Sequence, residues 1–157
     1  MDSSAQSRSE TQSIAPSKEQ LAVLPAIEQV AAGNGVADLF DAARQGFGRI
    51  FDLAGPWHDA FAFWSRASGT NEVVLRVIPA ESDSNRGLRF AVDFDRLTTH
   101  LGVGDKGTMT RMRSAFPTTS PSRSVAEAEG YFGNVDQISR ALAVINRARA
   151  REVKPAR

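Results

Sequence analysis

The sequence predicts an α+β domain, and three observations carry that prediction. Apolar residues recur at helical spacing in the first third of the chain and again near its end. Between them, "LRFAVDF" (88–94) alternates as a strand with one buried face does. Clusters rich in Gly, Pro, Ser and Asn separate the two kinds of pattern. At 157 residues and 41% apolar, the chain has the size of one domain. Such a domain buries roughly 70% of its unfolded surface.

Each element has its own local signal. Residues 1–17, "MDSSAQSRSETQSIAPS", hold six serines and almost nothing apolar, so they are expected to be disordered. A Ser-rich start of this kind also fits the export signal of a secreted effector. An organelle transit peptide fits less well, because of Asp2 and Glu10. Ser17 and Gln20 have capping-box spacing and predict a helix start, with Pro25 interrupting or kinking that helix. Val36, Leu39, Phe40, Ala43, Phe47, Ile50, Phe51 and Ala54 share one helical face and predict a helix over 36–54, ended by Gly55-Pro56. "PWHDAFAFWSRAS" fits either a short helix through Trp57, Phe61 and Trp64 or a strand through Phe61 and Phe63; the helix is the preferred expectation. "EVVLRVIP" and "LRFAVDF", joined by the turn-rich "ESDSNRG", predict a hairpin with Leu88, Phe90, Val92 and Phe94 on its buried face.

A helix pair is expected over 96–116, then a loop in "PTTSPSRS" and a short strand in "EAEGYFG". The closing helix is the best defined. Asn134 caps it, Gln137 stands at the box position, and Val135, Ile138, Leu142 and Ile145 form its stripe. The domain organisation is thus a tail over 1–17, one domain over 18–152 and a basic tail over 153–157.

Composition removes several classes of function. With no cysteine, the chain has no disulfide, thiolate metal site or cysteine nucleophile. Only His58 and His100 offer imidazole, and they lie far apart in sequence. No apolar run approaches the ~20 residues that span a bilayer. The start lacks the charged-then-apolar pattern of a secretion signal, so a cytoplasmic protein is expected. His58-Asp59 suits a capping or surface role better than acid–base work. Asp93 and Asp95, with Glu81 and Asp83 as the only helpers, are too few for a hard-cation site. No serine stands in a nucleophile elbow. Neither catalysis nor a cofactor is expected.

The net charge of +1 hides an asymmetry. Residues 1–85 carry 6 Lys/Arg against 11 Asp/Glu, and residues 86–157 carry 13 against 7. That imbalance suits an anionic partner, or two oppositely charged faces that meet within the fold or in a homodimer.

"RLTTHLGVGDKGTMTRMR" (96–113) is the stretch richest in functional signal. Asp95 is expected to cap a first helix striped by Leu97 and Leu101. Gly102-Val103 makes a turn, and Thr108 to Phe116 a second helix with Met109, Met112 and Phe116 inward. Thr110, Arg111 and Arg113 then face outward. The stretch resembles the helix-turn-helix family of DNA-binding proteins over about twenty residues. It departs from that pattern in Thr98, where alanine is usual, and in the extra glycine of "GVGDKG". The resemblance implies a regulator, or a plasmid- or phage-type accessory factor, that binds double-stranded DNA through Lys106, Thr108, Thr110, Arg111 and Arg113. Arg111, nearer the helix start, would read a base edge, while Arg113 and Lys106 touch the backbone. The amides at Gly107-Thr108 could hold one phosphate. A phosphate loop is excluded because Lys106 precedes Gly107. The alternative is a protein-binding surface in the acidic N-terminal half, built from Phe40, Phe47, Phe51, Trp57, Phe61 and Trp64.

Overall fold

The computed structural model describes residues 22–118 and 127–153, with side chains as far as residue 149. The expectations for the tail at 1–17, the Ser17 capping box, most of the "PTTSPSRS" loop and nearly all of the C-terminal tail lie outside the described residues. Among the described residues the fold is α+β, with five helices and a five-stranded antiparallel sheet. In chain order the elements are α1 (Leu24–Gly33), α2 (Ala37–Gly48), β1 (Leu53–Trp57), β2 (Ala60–Ser65), β3 (Glu72–Asp83) and β4 (Gly87–Asp93), then α3 (Phe94–Leu101), α4 (Lys106–Ala115), β5 (Glu127–Phe132) and α5 (Val135–Val153).

The strands pair in sequence order, β1 to β5, each antiparallel to its neighbour. Register assigns the two faces. Phe63 lies opposite Leu75, Leu75 opposite Val92, and Val92 opposite Ala128. These residues, with Phe61, Val77, Leu88, Phe90 and Phe132, join side chains from all five helices in one core cluster. Phe47 of α2 lies at its centre, 5.8 Å from Phe63, 6.2 Å from Phe116 and 5.9 Å from Phe132 between ring centroids. Each such ring contributes roughly 1.5–3 kcal/mol by leaving water.

On the opposite face Ala60, Ala62 and Ala91 alternate with Trp57, Trp64, Arg76, Arg89, Glu129 and Tyr131. The alanines are buried yet lie outside the core cluster. Long neighbouring side chains fold over them, as suits an antiparallel sheet with one solvated face.

The central hairpin, the strand in "EAEGYFG" and the closing helix form as the sequence predicts. Asn134 Oδ1 accepts from the Gln137 amide at 2.9 Å. Pro25 neither breaks nor kinks a helix; it stands in the first turn of α1, where its missing N–H goes unused.

Four expectations are corrected. The helix expected over 36–54 ends at Gly48. Ile50 and Phe51 remain core beyond it, so their burial keeps a helical phase without a helix. Residues 53–65 form the β1–β2 hairpin and not a helix. Phe61 and Phe63 face the core while Trp57 and Trp64 face away, and the turn at His58-Asp59 holds His58 at φ 59°. That turn role also replaces the expected capping role of His58-Asp59. The cap of α3 is Asp93, whose carboxylate accepts from the Arg96 amide at 3.0 Å; Asp95 lies in the first turn. The helix starts early because the Phe94 ring is itself buried.

His100, on the polar side of its helix by sequence, is largely buried. Its Nε2–H donates to the Ile50 carbonyl at 2.8 Å, and its Nδ1 shares a hydrogen bond with the Ser65 hydroxyl at 2.6 Å. The ring also stacks on Phe51 at 4.9 Å.

Candidate functional site

The α3–α4 pair forms as a helix–turn–helix unit. Gly102, at φ 73°, ends α3. The Val103 amide donates to Thr98 O and the Gly102 amide to Thr99 O, so the turn satisfies the last carbonyls of α3 in a Schellman arrangement. Asp105 caps α4. Met112 and Phe116 are buried and Met109 is half-buried.

The five residues singled out by sequence differ in placement. Lys106, Thr110, Arg111 and Arg113 are exposed. Thr108 is buried at 4%, its hydroxyl donating to the Asp105 carboxylate at 2.7 Å. The Thr108 amide donates to the same carboxylate at 2.8 Å. The phosphate cradle expected at Gly107-Thr108 is therefore occupied by the protein's own anion.

Arg111 and Arg113 do not share a face. Two residues apart on a helix means about 200° of rotation. Arg111 turns toward α5 and donates to the Thr108 hydroxyl at 3.1 Å. Arg113 lies on the other side, its guanidinium 4.8 Å from the centre of the Phe94 ring. Neither role was visible in the sequence, because both depend on how α4 docks.

Docking also brings α5 into the site. A narrow groove between the helices is lined by Thr108, Arg111, Val144, Arg147 and Ala148. Arg140 and Arg147 are seven residues apart, within about 20° of two full turns, so both lie along this side of α5. Arg111 of α4 and Arg147 of α5 thus border one groove, Arg140 lies about two turns before Arg147 on the same side of α5, and Lys106 is exposed in the first turn of α4; together they are called the ridge. Arg140 was not among the residues that the sequence singled out, whereas Arg147 opens the basic run "RARAREVKPAR", which by sequence suits either a grip on phosphates or an acidic partner, or cations at a helix C-terminus. The signal for the pair was the i, i+7 spacing of Arg140 and Arg147 around half-buried Val144.

Charge pairing differs between this ridge and the arginines of the sheet face, α3 and α2's Arg44, although Arg49 and Arg66, elsewhere on the surface, also make no ion pair among the described residues. Arg44 meets Asp41 at 2.9 Å and Glu28 at 3.1 Å. On the solvated sheet face, Arg76 meets Glu127 at 3.9 Å, and Arg89 contacts both Glu81 and Glu129. Arg96 lies 3.4 Å from Asp93 and 3.7 Å from Glu72. Among the described residues, Arg140 and Arg147 make no ion pair, and neither do Lys106, Arg111 and Arg113.

The aromatic surface considered as an alternative is mostly interior. Phe40, Phe47, Phe51 and Phe61 are buried, and only Trp57 and Trp64 reach the solvated sheet face. Among the described residues, no helix is long and apolar enough to cross a membrane. Neither a protein-family model nor a curated protein nor a solved structure matches the chain.

Proposed function

We propose that the chain binds double-stranded DNA through the α4–α5 ridge, as a small regulator or a plasmid- or phage-type accessory factor. The compartment that goes with this reading is the cytoplasm, where such DNA is held. One contrast supports it: the arginines of the sheet face have carboxylate partners, whereas the cations of the ridge have none among the described residues. Unpaired surface cations remain available to phosphates, and each phosphate neutralised releases condensed counterions. Lys106, Arg111, Arg140 and Arg147 supply that term. Arg113, on the far side of α4, joins only a partner that wraps the helix. Thr110 is exposed and free of the cap, so it stands where a base edge could be met. Thr108 acts through Arg111, which it holds in place.

The test is a gel shift of random-sequence duplex at two salt concentrations. The expected result is a shift that weakens steeply with salt. Replacing Arg111 and Arg147 together by alanine should flatten the salt dependence by about two units, one for each phosphate contact. No salt-sensitive shift of any duplex at low ionic strength would overturn the reading. A protein partner is the second reading, and one observation favours it: Val23, at the cap of α1, and Val30 are exposed along the border of the stripe that buries Ile27 and Ala31.

A further inference from the structure

The solvated face of the sheet holds a feature that the ridge does not use. Ala60 of β2 stands low between tall neighbours, with Trp57 of β1 on one side and Arg76 of β3 on the other. The result is a trough of about 370 Å³, bordered by Trp57, His58, Ala60, Arg76, Arg96 and Glu127. That volume is at the lower end of small-ligand sites, roughly 300–1,000 Å³.

Its walls restrict what can enter. Trp57 offers a flat aromatic surface, braced edge-on by Trp64 at 6.3 Å and touched by the His58 ring at 4.8 Å. His58 stands at the rim in the left-handed region, φ 59°, a conformation that costs energy in any residue but glycine. Arg96 is committed, donating to the Val73 carbonyl at 2.9 Å beside Asp93 and Glu72. Arg76 and Glu127 form only a loose pair, 3.9 Å apart and both partly exposed. The charges at the trough are balanced, Arg76 and Arg96 against Asp59 and Glu127. An anion meets the two carboxylates and a cation meets the two guanidiniums. A neutral ligand meets neither penalty, and it can accept from Arg76 while donating to Glu127.

We infer that this trough binds a neutral, planar heteroaromatic of the nucleobase class, stacked against Trp57 with its polar edge toward Arg76 and Glu127. Base–aromatic stacking and edge hydrogen bonds are the forces by which unpaired bases are recognised on protein surfaces. The inference is independent of the DNA reading, because the ridge lies on the helical side of the sheet and the trough on the other.

The chain carries two tryptophans, and both border or brace the trough, so intrinsic fluorescence reports on it directly. The full chain is titrated separately with guanosine, adenosine, cytidine and uridine up to about 5 mM, a limit that still detects millimolar affinity. Calorimetry runs in parallel. The expected result is saturable binding of at least one nucleoside. Ala60→Leu, which fills the floor, should abolish it while circular dichroism and the thermal midpoint stay unchanged. Glu127→Gln, at an exposed position that does not touch the core, should weaken it at least several-fold and serves if Ala60→Leu fails to fold. The inference is overturned if no nucleoside binds saturably by either method, or if the folded variants bind as the wild type does.

Discussion

Gly130→Ala tests whether the core is as tightly closed as the geometry requires. Gly130 is in the middle of β5, opposite Phe90 on one side and bridged to Thr118 on the other. A Cβ there would lie 2.2 Å from the Pro117 carbonyl oxygen, 2.8 Å from Thr118 Cα and 3.0 Å from Phe90 Cζ. The nearest two atoms are backbone, so no side-chain rotation relieves the clash, and the chain at 117–118 must move away. Phe116 moves with it. That ring is 2% exposed and packs against Phe47, Phe90, Phe94 and Phe132 at 5.5–6.2 Å. A small shift amounts to overpacking, about 1–3 kcal/mol. Withdrawing Phe116 completely approaches a Phe→Ala deletion, about 3–5 kcal/mol. The expected loss is about 2–4 kcal/mol, between those limits. A domain with about 5–15 kcal/mol of stability survives that loss. Urea unfolding, with a slope of about 1–3 kcal/mol per molar, should place the variant's midpoint lower by about 1–2 M at unchanged slope. A midpoint within about 0.3 M of wild type would refute the argument, since it would mean that the segment after α4 does not press on β5.

Gly46→Ala is the counterpart. Its Cβ would lie 2.4 Å from a terminal methyl of half-buried Leu142, which can rotate away, and the helix gains about 1 kcal/mol of propensity. The same unfolding assay should find a change under about 1 kcal/mol; a loss above about 2 kcal/mol would show that α2 and α5 cross too closely for Leu142 to move. Tyr131, the chain's single tyrosine, accepts hydrogen bonds from Arg86 at 3.1 Å and Arg89 at 3.2 Å, and these hold its phenol below the ordinary value of about 10. Absorbance at the phenolate band should therefore rise at lower pH in the folded protein than in urea, and Arg86→Ala should move it back up. A group depressed on folding contributes stability above its unfolded value and loses it as pH falls through the folded value, so this contribution is confined to alkaline solution. Identical folded and unfolded titrations would refute the arginine contacts.

Periodic elements were legible where one local force dominated. The strand at 87–93 alternates because a single face is buried, and α5 is marked by its stripe and its Asn134 cap. The β1–β2 hairpin was hidden for an identifiable reason. "AFAFWS" places a buried residue at almost every position, since Ala60 and Ala62 are covered by their neighbours' side chains on the nominally solvated face. Alternation in burial was therefore lost, and Trp57, Phe61 and Trp64 fell by chance at helical spacing. The sequence pattern put the α3 cap at Asp95; the cap is at Asp93 instead, one residue before buried Phe94, which no local signal marked.

The candidate site was half legible for a related reason. Local sequence predicted that Arg111 and Arg113 would be exposed and about 200° apart, since both follow from the helix itself. Which cations remain without partners is a property of tertiary placement. Arg76, Arg89 and Arg96 look no different in sequence from Arg140 and Arg147. They are neutralised because β5 and the α3 cap set Glu127, Glu129 and Asp93 beside them. The asymmetry between the two halves of the chain therefore does not survive folding in its original form. The carboxylates of β3 and β5 and Asp93 at the α3 cap meet the arginines of β3, β4 and α3, and the excess of positive charge is left on α4 and α5. The ridge is basic because Glu127, Glu129 and Asp93 meet arginines on the sheet and in α3, while Asp105, at the start of α4, is turned into that helix's cap. Val144→Glu reverses that arrangement by setting a carboxylate between Arg111, Arg140 and Arg147. It should abolish the gel shift of duplex DNA without removing a single arginine, and an undiminished shift from the folded variant would show that the ridge is not the binding surface.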